Sequence, residues 1–247
     1  MARSNGRSNT QHRPVEMTSG FQRNAEGSVL YRAGGTVVLC TASVDDAIPK
    51  WMDEGQGGWL TAEYQMHPRA NPSRRESREG RGGRQPKGRT LEIQRLVGRS
   101  LRSAMNLKSL GPRTITVDCD VLEADGGTRT ASVTAGYTAI ALALNSSGLA
   151  GVLRDQVAAI SVGYVGNQIL VDLDYSEDSK ARVDMNVVAT LGGQLIEVQA
   201  TAEGLPIERS DFNAMLDAAL ESIVSLGKEQ RAILEEADAD LDILIRR

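Results

Sequence analysis

Residues 130–145 carry small or apolar side chains on nearly every side of the helix that their sequence predicts. Because a helix that is apolar all round has no face for water, it must lie inside the molecule. Aromatic residues make up only 4% of the chain, so the core has to be built mainly from alanine, valine, leucine and isoleucine. A chain of 247 residues can bury such a core in one large domain or in two small domains packed together.

Strands are predicted on both sides of this helix. Residues 114–122 alternate between apolar side chains and polar ones that include Asp118 and Asp120, which is typical of a strand with one buried face. Residues 59–66 predict another strand. Turn-forming pairs predict three hairpins, at Gly34-Gly35, Gly166-Asn167 and Gly192-Gly193.

Two amphipathic helices complete the pattern. Residues 90–107 place apolar side chains on one face and three arginines on the other, which is also the pattern of an ordinary solvated or salt-bridged face. A second, long helix is predicted to begin with Ser210 as its cap. Strands followed by a helix thus occur twice. This favours an α+β fold of two related strand–helix units packed together, over residues 1–155 and 156–247.

The composition excludes several kinds of chemistry. The two histidines stand in no metal-ligand or triad spacing. Cys40 and Cys119 lie far apart and outside any CxxC spacing, so we interpret them as buried thiols in a reducing cytoplasm. No run of 18 apolar residues and no apolar leader is present, so a cytoplasmic protein without a membrane span is expected. Catalysis would have to use carboxylates, arginines, backbone amides or a metal ion.

A strongly basic segment interrupts an acidic chain. Residues 69–89 contain eight basic and two acidic side chains, so this segment has a charge of +6. The remainder of the chain has a charge of −10, which gives the net charge of −4. It is rich in Arg, Gly, Ser and Pro, which predicts a loop, and long loops in compact domains are usually functional. The alternative is a solvated charged loop. An RNA backbone is the natural anionic ligand for such a segment, mainly through phosphate contacts.

The segment Asp125-Gly-Gly-Thr-Arg-Thr130 joins a predicted strand to the buried helix. Glycines allow backbone N–H groups to approach a ligand, and a helix N-terminus favours an anion. Thr128 adds a hydroxyl, and Arg129 adds a planar cation suited to phosphate. The segment therefore has the groups of an oxyanion cradle, although an ordinary Gly-rich connection fits equally well. It lacks the pattern of a nucleoside-triphosphate P-loop.

Five carboxylates fall within thirteen positions: Asp172, Asp174, Glu177, Asp178 and Asp184. We expect Asp172 and Asp174 to share one face of a strand, with Asp178 in the next turn. Carboxylates that meet in this way repel one another unless a cation or a proton intervenes. Mg²⁺ accepts one or two carboxylates together with waters and phosphates. The alternative is a solvated acidic turn.

Several long segments resemble the RNase PH family, in the same order along the chain. They are GWLTAEY at 58–64, GRTLEIQRLVGRSLR at 88–102, DCDVLEADGGTRT at 118–130, DLDYSEDS at 172–179 and VDMNVV at 183–188. Three positions depart from the family pattern. Asn5 stands where the family has Asp, Gly35 where Asn is common, and His67 where Leu is common. The change at Asn5 puts an N-terminal contribution in doubt.

The resemblance implies the RNase PH fold and a phosphate-dependent 3′→5′ exoribonuclease that shortens tRNA precursors and releases nucleoside diphosphates. It implies that inorganic phosphate is bound by Arg89, Gly127, Thr128 and Arg129. Asp178 and Asp184 would be the catalytic carboxylates and would hold Mg²⁺ or Mn²⁺.

The resemblance also implies that the basic loop guides the RNA 3′ end, with Arg69, Arg74, Arg75 and Arg78 as its contacts, and that six copies form a ring as a trimer of dimers. Two alternatives are a non-catalytic RNA-binding ring subunit and a small-molecule enzyme with a phosphate cradle.

Overall fold

The computed structural model describes Arg3 and residues 6–73, 75–79 and 86–246, which form nine strands and five helices. The strands are β1 (Val15–Ser19), β2 (Gly27–Ala33), β3 (Thr36–Asp45), β4 (Trp59–Met66), β5 (Thr114–Glu123), β6 (Val157–Val165), β7 (Gln168–Val171), β8 (Val183–Thr190) and β9 (Leu195–Ala202). The helices are α1 (Gly88–Ser103), α2 (Thr128–Ser146), α3 (Tyr175–Asp178), α4 (Arg209–Glu236) and α5 (Leu241–Leu244).

The first sheet has five strands in the order β1-β2-β3-β5-β4. All neighbours are antiparallel except β4 and β5, which run parallel and are connected through the basic segment and α1. The predicted strand at 59–66 and the hairpin at Gly34-Gly35 are confirmed. α1 packs on β4 but ends earlier than predicted, at Ser103, because Met105 leaves the helix to bridge Leu153.

The second sheet has four antiparallel strands in the order β7-β6-β8-β9, and both predicted hairpins of this half are confirmed. α4 covers it with a buried face that includes Met215, Ala219 and Ile223. The predicted cap was wrong. The backbone is extended at Glu208, so α4 begins at Arg209 and Ser210 lies inside its first turn.

Helix α2 lies between the two sheets and contacts β2, β3 and β5 on one side and β6 and β8 on the other. Every residue from Thr130 to Ala141 is buried, as predicted for an all-apolar helix. Thr134, one of its buried polar residues, is paired across the interface. The Thr134 hydroxyl accepts a hydrogen bond from the Ala159 backbone N–H at 3.0 Å, and the Thr134 carbonyl accepts one from Gln230 at 2.9 Å. The packing of α2 therefore holds the two sheets in one orientation.

The predicted strand position of Asp172 and Asp174 was wrong. β7 ends at Val171, and Asp172 has a positive φ of 55°, a backbone conformation that aspartate tolerates better than most residues. Asp174 instead caps α3, where its carboxylate accepts the Glu177 backbone N–H at 2.9 Å. The chain therefore turns away from the sheet just before the acidic residues. Among the described helices, none is long and apolar enough to cross a membrane.

Candidate active site

One cavity of about 880 Å³ lies where the N-terminus of α2 faces α3 and the start of β8. Its lining includes every predicted phosphate-binding residue, both predicted catalytic aspartates and one of the four predicted RNA-contacting arginines. These are Arg89, Gly127, Thr128, Arg129, Asp178, Asp184 and Arg69. Two stretches more than forty positions apart in the chain therefore meet around a single space.

The cradle depends on two glycines in the left-handed region. Gly126 and Gly127 have φ of 76° and 66°, and a Cβ on Gly126 would overlap the carbonyl oxygen of Leu173. Gly127 is the N-cap of α2, and no side chain forms a capping hydrogen bond there. The first N–H groups of α2 therefore have no acceptor within the helix, and they lie at the end of the helix that lines the cavity. This arrangement favours a bound anion.

Two side chains of the cradle are held by neighbours that the sequence interpretation missed. The Thr128 hydroxyl lies 2.9 Å from the hydroxyl of Tyr64, which is buried on β4. Burial raises the pKa of Tyr64, so its hydroxyl stays protonated. Arg129 donates to the Gln199 side chain on β9 at 2.8 Å and lies 3.8 Å from Glu92 on α1. These contacts orient one hydroxyl and one guanidinium at the helix N-terminus.

Asp178 and Asp184 interact electrostatically within the cavity. Asp178 ends α3, and Asp184 lies near the start of β8, opposite Gly163 of β6. Burial raises the pKa of Asp178, and the charge of Asp184 raises it further, whereas Arg89 and Arg129 lower it. Both carboxylates line the same cavity as the two cationic residues. Such a pair suits a bound cation.

The donor set fits a divalent ion of the Mg²⁺ type, because that ion needs only one or two protein carboxylates when phosphates and waters complete its shell. Within the described residues, no cluster of three or more histidine, cysteine or carboxylate side chains has metal-binding geometry.

The other three acidic residues of the cluster have structural contacts. Arg13 binds both carboxylate oxygens of Asp172 at 2.8 and 2.7 Å, and Arg3 binds both of Glu177 at 2.8 and 2.7 Å. Asp174 caps α3 as described above.

Burial would raise the pKa of Asp172, but the hydrogen bonds and charge of Arg13 outweigh it and hold that pKa below its usual range. The same contacts raise the pKa of Arg13. Both groups are therefore charged in the folded protein. Removing one member of such a buried pair typically costs about 3–5 kcal/mol.

Arg13 also joins the two halves of the site. Its guanidinium donates to the carbonyl oxygens of Asp125 at 2.7 Å and Gly126 at 3.3 Å while it binds Asp172. The cradle loop and the turn that leads to Asp178 are thus held by one buried side chain. Arg13 and Arg3 were not singled out from the sequence, and an isolated arginine gives no signal of its partner. Asn5, whose substitution placed the N-terminus in doubt, lies outside the described residues.

The structure places the predicted RNA-contacting arginines that it describes in different surroundings. Arg69 lines the cavity, whereas Arg75 and Arg78 are exposed and lie outside its lining. Burial raises the pKa of Asp120 on β5, and the charge of Arg78 lowers it. Arg74 lies outside the described residues. On α1, Arg99 pairs with Glu197 at 2.6 Å, and Arg102 donates to the Leu60 carbonyl at 3.0 Å.

Comparison with known families shows to which family the chain belongs. The model of the 3′ exoribonuclease family matches as domain 1 over residues 11–149 and as domain 2 over residues 155–222. This chain belongs to the RNase PH family. A curated protein of Mycolicibacterium gilvum named Ribonuclease PH is 50% identical over 241 residues, which cover 94% of this chain and 91% of that protein.

Solved structures agree on the two-domain RNase PH fold. Rice (Oryza sativa) Rrp46 superposes with a TM-score of 0.77 at 18% identity and covers 94% of this chain and 100% of its own. A chain of the Archaeoglobus fulgidus exosome, solved with RNA bound to its active site, has a TM-score of 0.77 at 23% identity and 92% coverage of both chains. At these identities the likeness concerns the fold. The predicted boundary after residue 155 stays a prediction.

Proposed function

We propose that this protein is a phosphorolytic 3′→5′ exoribonuclease that shortens tRNA precursors and other RNAs, with inorganic phosphate as the attacking nucleophile. The observation that carries the proposal is the single cavity that holds the cationic cradle and the two interacting aspartates. The 50% identical protein named Ribonuclease PH supports the same reaction class. The activity needs no histidine, in line with the composition.

The residues have separate tasks in the reaction. The phosphate is held by Arg89, Arg129, the Thr128 hydroxyl and the amide of Gly127. The two guanidinium charges offset the repulsion between this anion and the RNA backbone. A phosphate oxygen forms a bond to the phosphorus of the terminal phosphodiester, and the bond from that phosphorus to the 3′-oxygen of the preceding nucleotide breaks. That oxygen takes up a proton, which one of the two aspartates can donate.

The products are a nucleoside diphosphate and an RNA that is one nucleotide shorter with a free 3′-hydroxyl. The reverse reaction adds a nucleotide from a diphosphate and releases phosphate, and it should prevail when phosphate is scarce. Asp178 and Asp184 would hold Mg²⁺ or Mn²⁺. When bound, such an ion neutralises charge on the phosphorus oxygens.

The test uses purified protein and a short RNA with and without inorganic phosphate. Nucleoside diphosphates should form only when phosphate is present. Release of nucleoside monophosphates would identify a hydrolase instead. RNA binding without any product would favour the non-catalytic ring subunit, and turnover of small phosphate esters alone would favour the small-molecule enzyme.

The basic loop is proposed to guide the RNA through Arg69, Arg74, Arg75 and Arg78. Replacing Arg74, Arg75 and Arg78 with glutamine should weaken binding of single-stranded RNA. The slope of log K against log salt should become shallower by about 0.7 for each RNA phosphate that the variant no longer neutralises, or about 2 for three phosphates. Binding measured from about 50 to about 300 mM salt, a range over which this electrostatic effect is large, gives the slope.

A matched control replaces three basic residues of α4 with glutamine, namely Arg209, Lys228 and Arg231. Their removal changes net charge by the same amount at a distant surface. If both triple variants shift the slope equally, the loop makes no specific contact with RNA.

For assembly and location we propose a homohexamer, arranged as a trimer of dimers, in the cytoplasm. Two solved structures of the same fold support an assembly, one of the Archaeoglobus fulgidus exosome and one of an archaeal exosome core.

A further inference from the structure

Tyr175 is the one aromatic side chain among the described residues that line the cavity. Its side chain is 65% exposed, so the fold leaves most of the ring without protein neighbours. The residues of the basic segment contain no aromatic side chain. An aromatic surface on which a base stacks near the reacting groups therefore has to come from another segment of the chain. Tyr175 lies where it can supply that surface.

The backbone of Tyr175 is fixed although its ring is exposed. Its N–H donates to the carboxylate of Asp125 at 3.1 Å, which ties it to the cradle loop. It follows Asp174, whose reciprocal capping bonds with Glu177 define the start of α3. Arg3 in turn holds Glu177. The Cα of Tyr175 thus has a set position relative to the cradle.

Tyr175 also lies next to the proposed reaction centre. Asp178 is three residues further along the same helical turn, and residues at this spacing lie on one face. The backbone of Tyr175 is therefore tied to the cradle through Asp125 and to the aspartates through α3, and its side chain lines the cavity that they share. This is where a nucleotide would sit if its 5′ phosphorus were attacked by a phosphate held in the cradle.

We propose that Tyr175 stacks on the base of the 3′-terminal nucleotide, the one that is removed. Stacking suits an enzyme that must process successive nucleotides, because every base presents a π-face. The ring would position the sugar and phosphorus of that nucleotide, which makes Tyr175 a substrate-contacting residue. The inference rests on the proposed function and adds the recognition of the terminal base.

The test compares two RNAs, one intact and one with an abasic 3′-terminal nucleotide. In the wild-type protein, kcat/KM should be higher for the intact RNA. Tyr175→Ala should lower kcat/KM for the intact RNA on the order of 10-fold, within the range of about 5- to 150-fold expected when a stacked base loses its aromatic partner. It should leave the abasic RNA nearly unaffected and should not change the KM for phosphate.

Two further variants separate stacking from other roles. Tyr175→Phe keeps the ring and should behave as wild type, while Tyr175→Leu keeps apolar bulk and should resemble Tyr175→Ala. Phe21→Ala, which removes a 53% exposed aromatic side chain outside the cavity lining, should have no effect on either RNA.

Equal reductions of kcat/KM by Tyr175→Ala on both RNAs would overturn the proposal, because the side chain would not touch the terminal base. Sensitivity only to an abasic penultimate nucleotide would also overturn it. If wild-type protein releases no nucleoside diphosphate from intact RNA, the proposed function itself fails, and that outcome is distinct from loss of base discrimination in an active enzyme.

Discussion

Replacing Asp184 with asparagine is expected to lower the rate of phosphorolysis by at least about 10³-fold while RNA affinity stays within about twofold. Asparagine has nearly the same shape, so the position of β8 between β6 and β9 should be kept. The variant removes one negative charge from the cavity. A cation held there would stabilise the charge on the phosphorus oxygens by several kcal/mol. Single-turnover release of nucleoside diphosphate and equilibrium RNA binding measure the two effects separately.

Asp217→Asn is the control for Asp184→Asn. Asp217 is an exposed residue of α4, outside the cavity lining, and its replacement removes the same charge. It should retain full activity. If Asp184→Asn loses RNA binding and thermal stability together with turnover, Asp184 has a structural role and the assignment of catalysis to this pair is wrong.

Replacing Arg129 with alanine is expected to reduce kcat/KM for phosphate by about 10²–10³-fold, the range found when an enzyme loses one oxyanion donor. The guanidinium is 18% exposed and is held by Gln199 and Glu92, so little of its binding energy is spent on ordering it. KM for RNA should change much less. Initial rates over a series of phosphate concentrations distinguish the two parameters.

Arg99→Ala is a matched control for Arg129→Ala. Arg99 also connects α1 to β9, through two hydrogen bonds of 2.7 and 2.6 Å to Glu197, but it lies outside the cavity lining. If both variants lose activity to the same extent, the common cause is the packing of α1 against β9. An unchanged rate for Arg129→Ala at subsaturating phosphate would remove Arg129 from the cradle.

Local pattern was sufficient for most elements of the fold. The alternation of 114–122, the glycine pairs of the three hairpins and the apolar residues of α2 each depend on side chains within a few positions of one another. The errors had different causes. The turn at Asp172 has the composition of a continuing strand, which is a local cause. Helix α1 ends at Ser103 because Met105 bridges the distant Leu153.

Less of the candidate site than of the fold could be predicted from the sequence. The Gly126-Gly127-Thr128-Arg129 run has a physical signature, because glycines before a buried helix favour an anion. The pattern of five acidic residues in one stretch gave no physical basis for choosing among them, and only the family resemblance pointed to Asp178 and Asp184. The structure separates Asp178 and Asp184, which line the cavity, from Asp172 and Glu177, which are paired with buried arginines.

The sequence by itself determined the fold class, the two strand–helix units, the groups available for chemistry and the family resemblance, because periodicity, turn residues and motif order are properties of neighbouring positions. Only the tertiary structure decided that the cradle and the aspartates share one cavity, that Arg13 joins Asp125 and Gly126 to Asp172, and that Tyr175 lines that space. These contacts join residues up to 159 positions apart, and the packing of α2 between two sheets sets their distances.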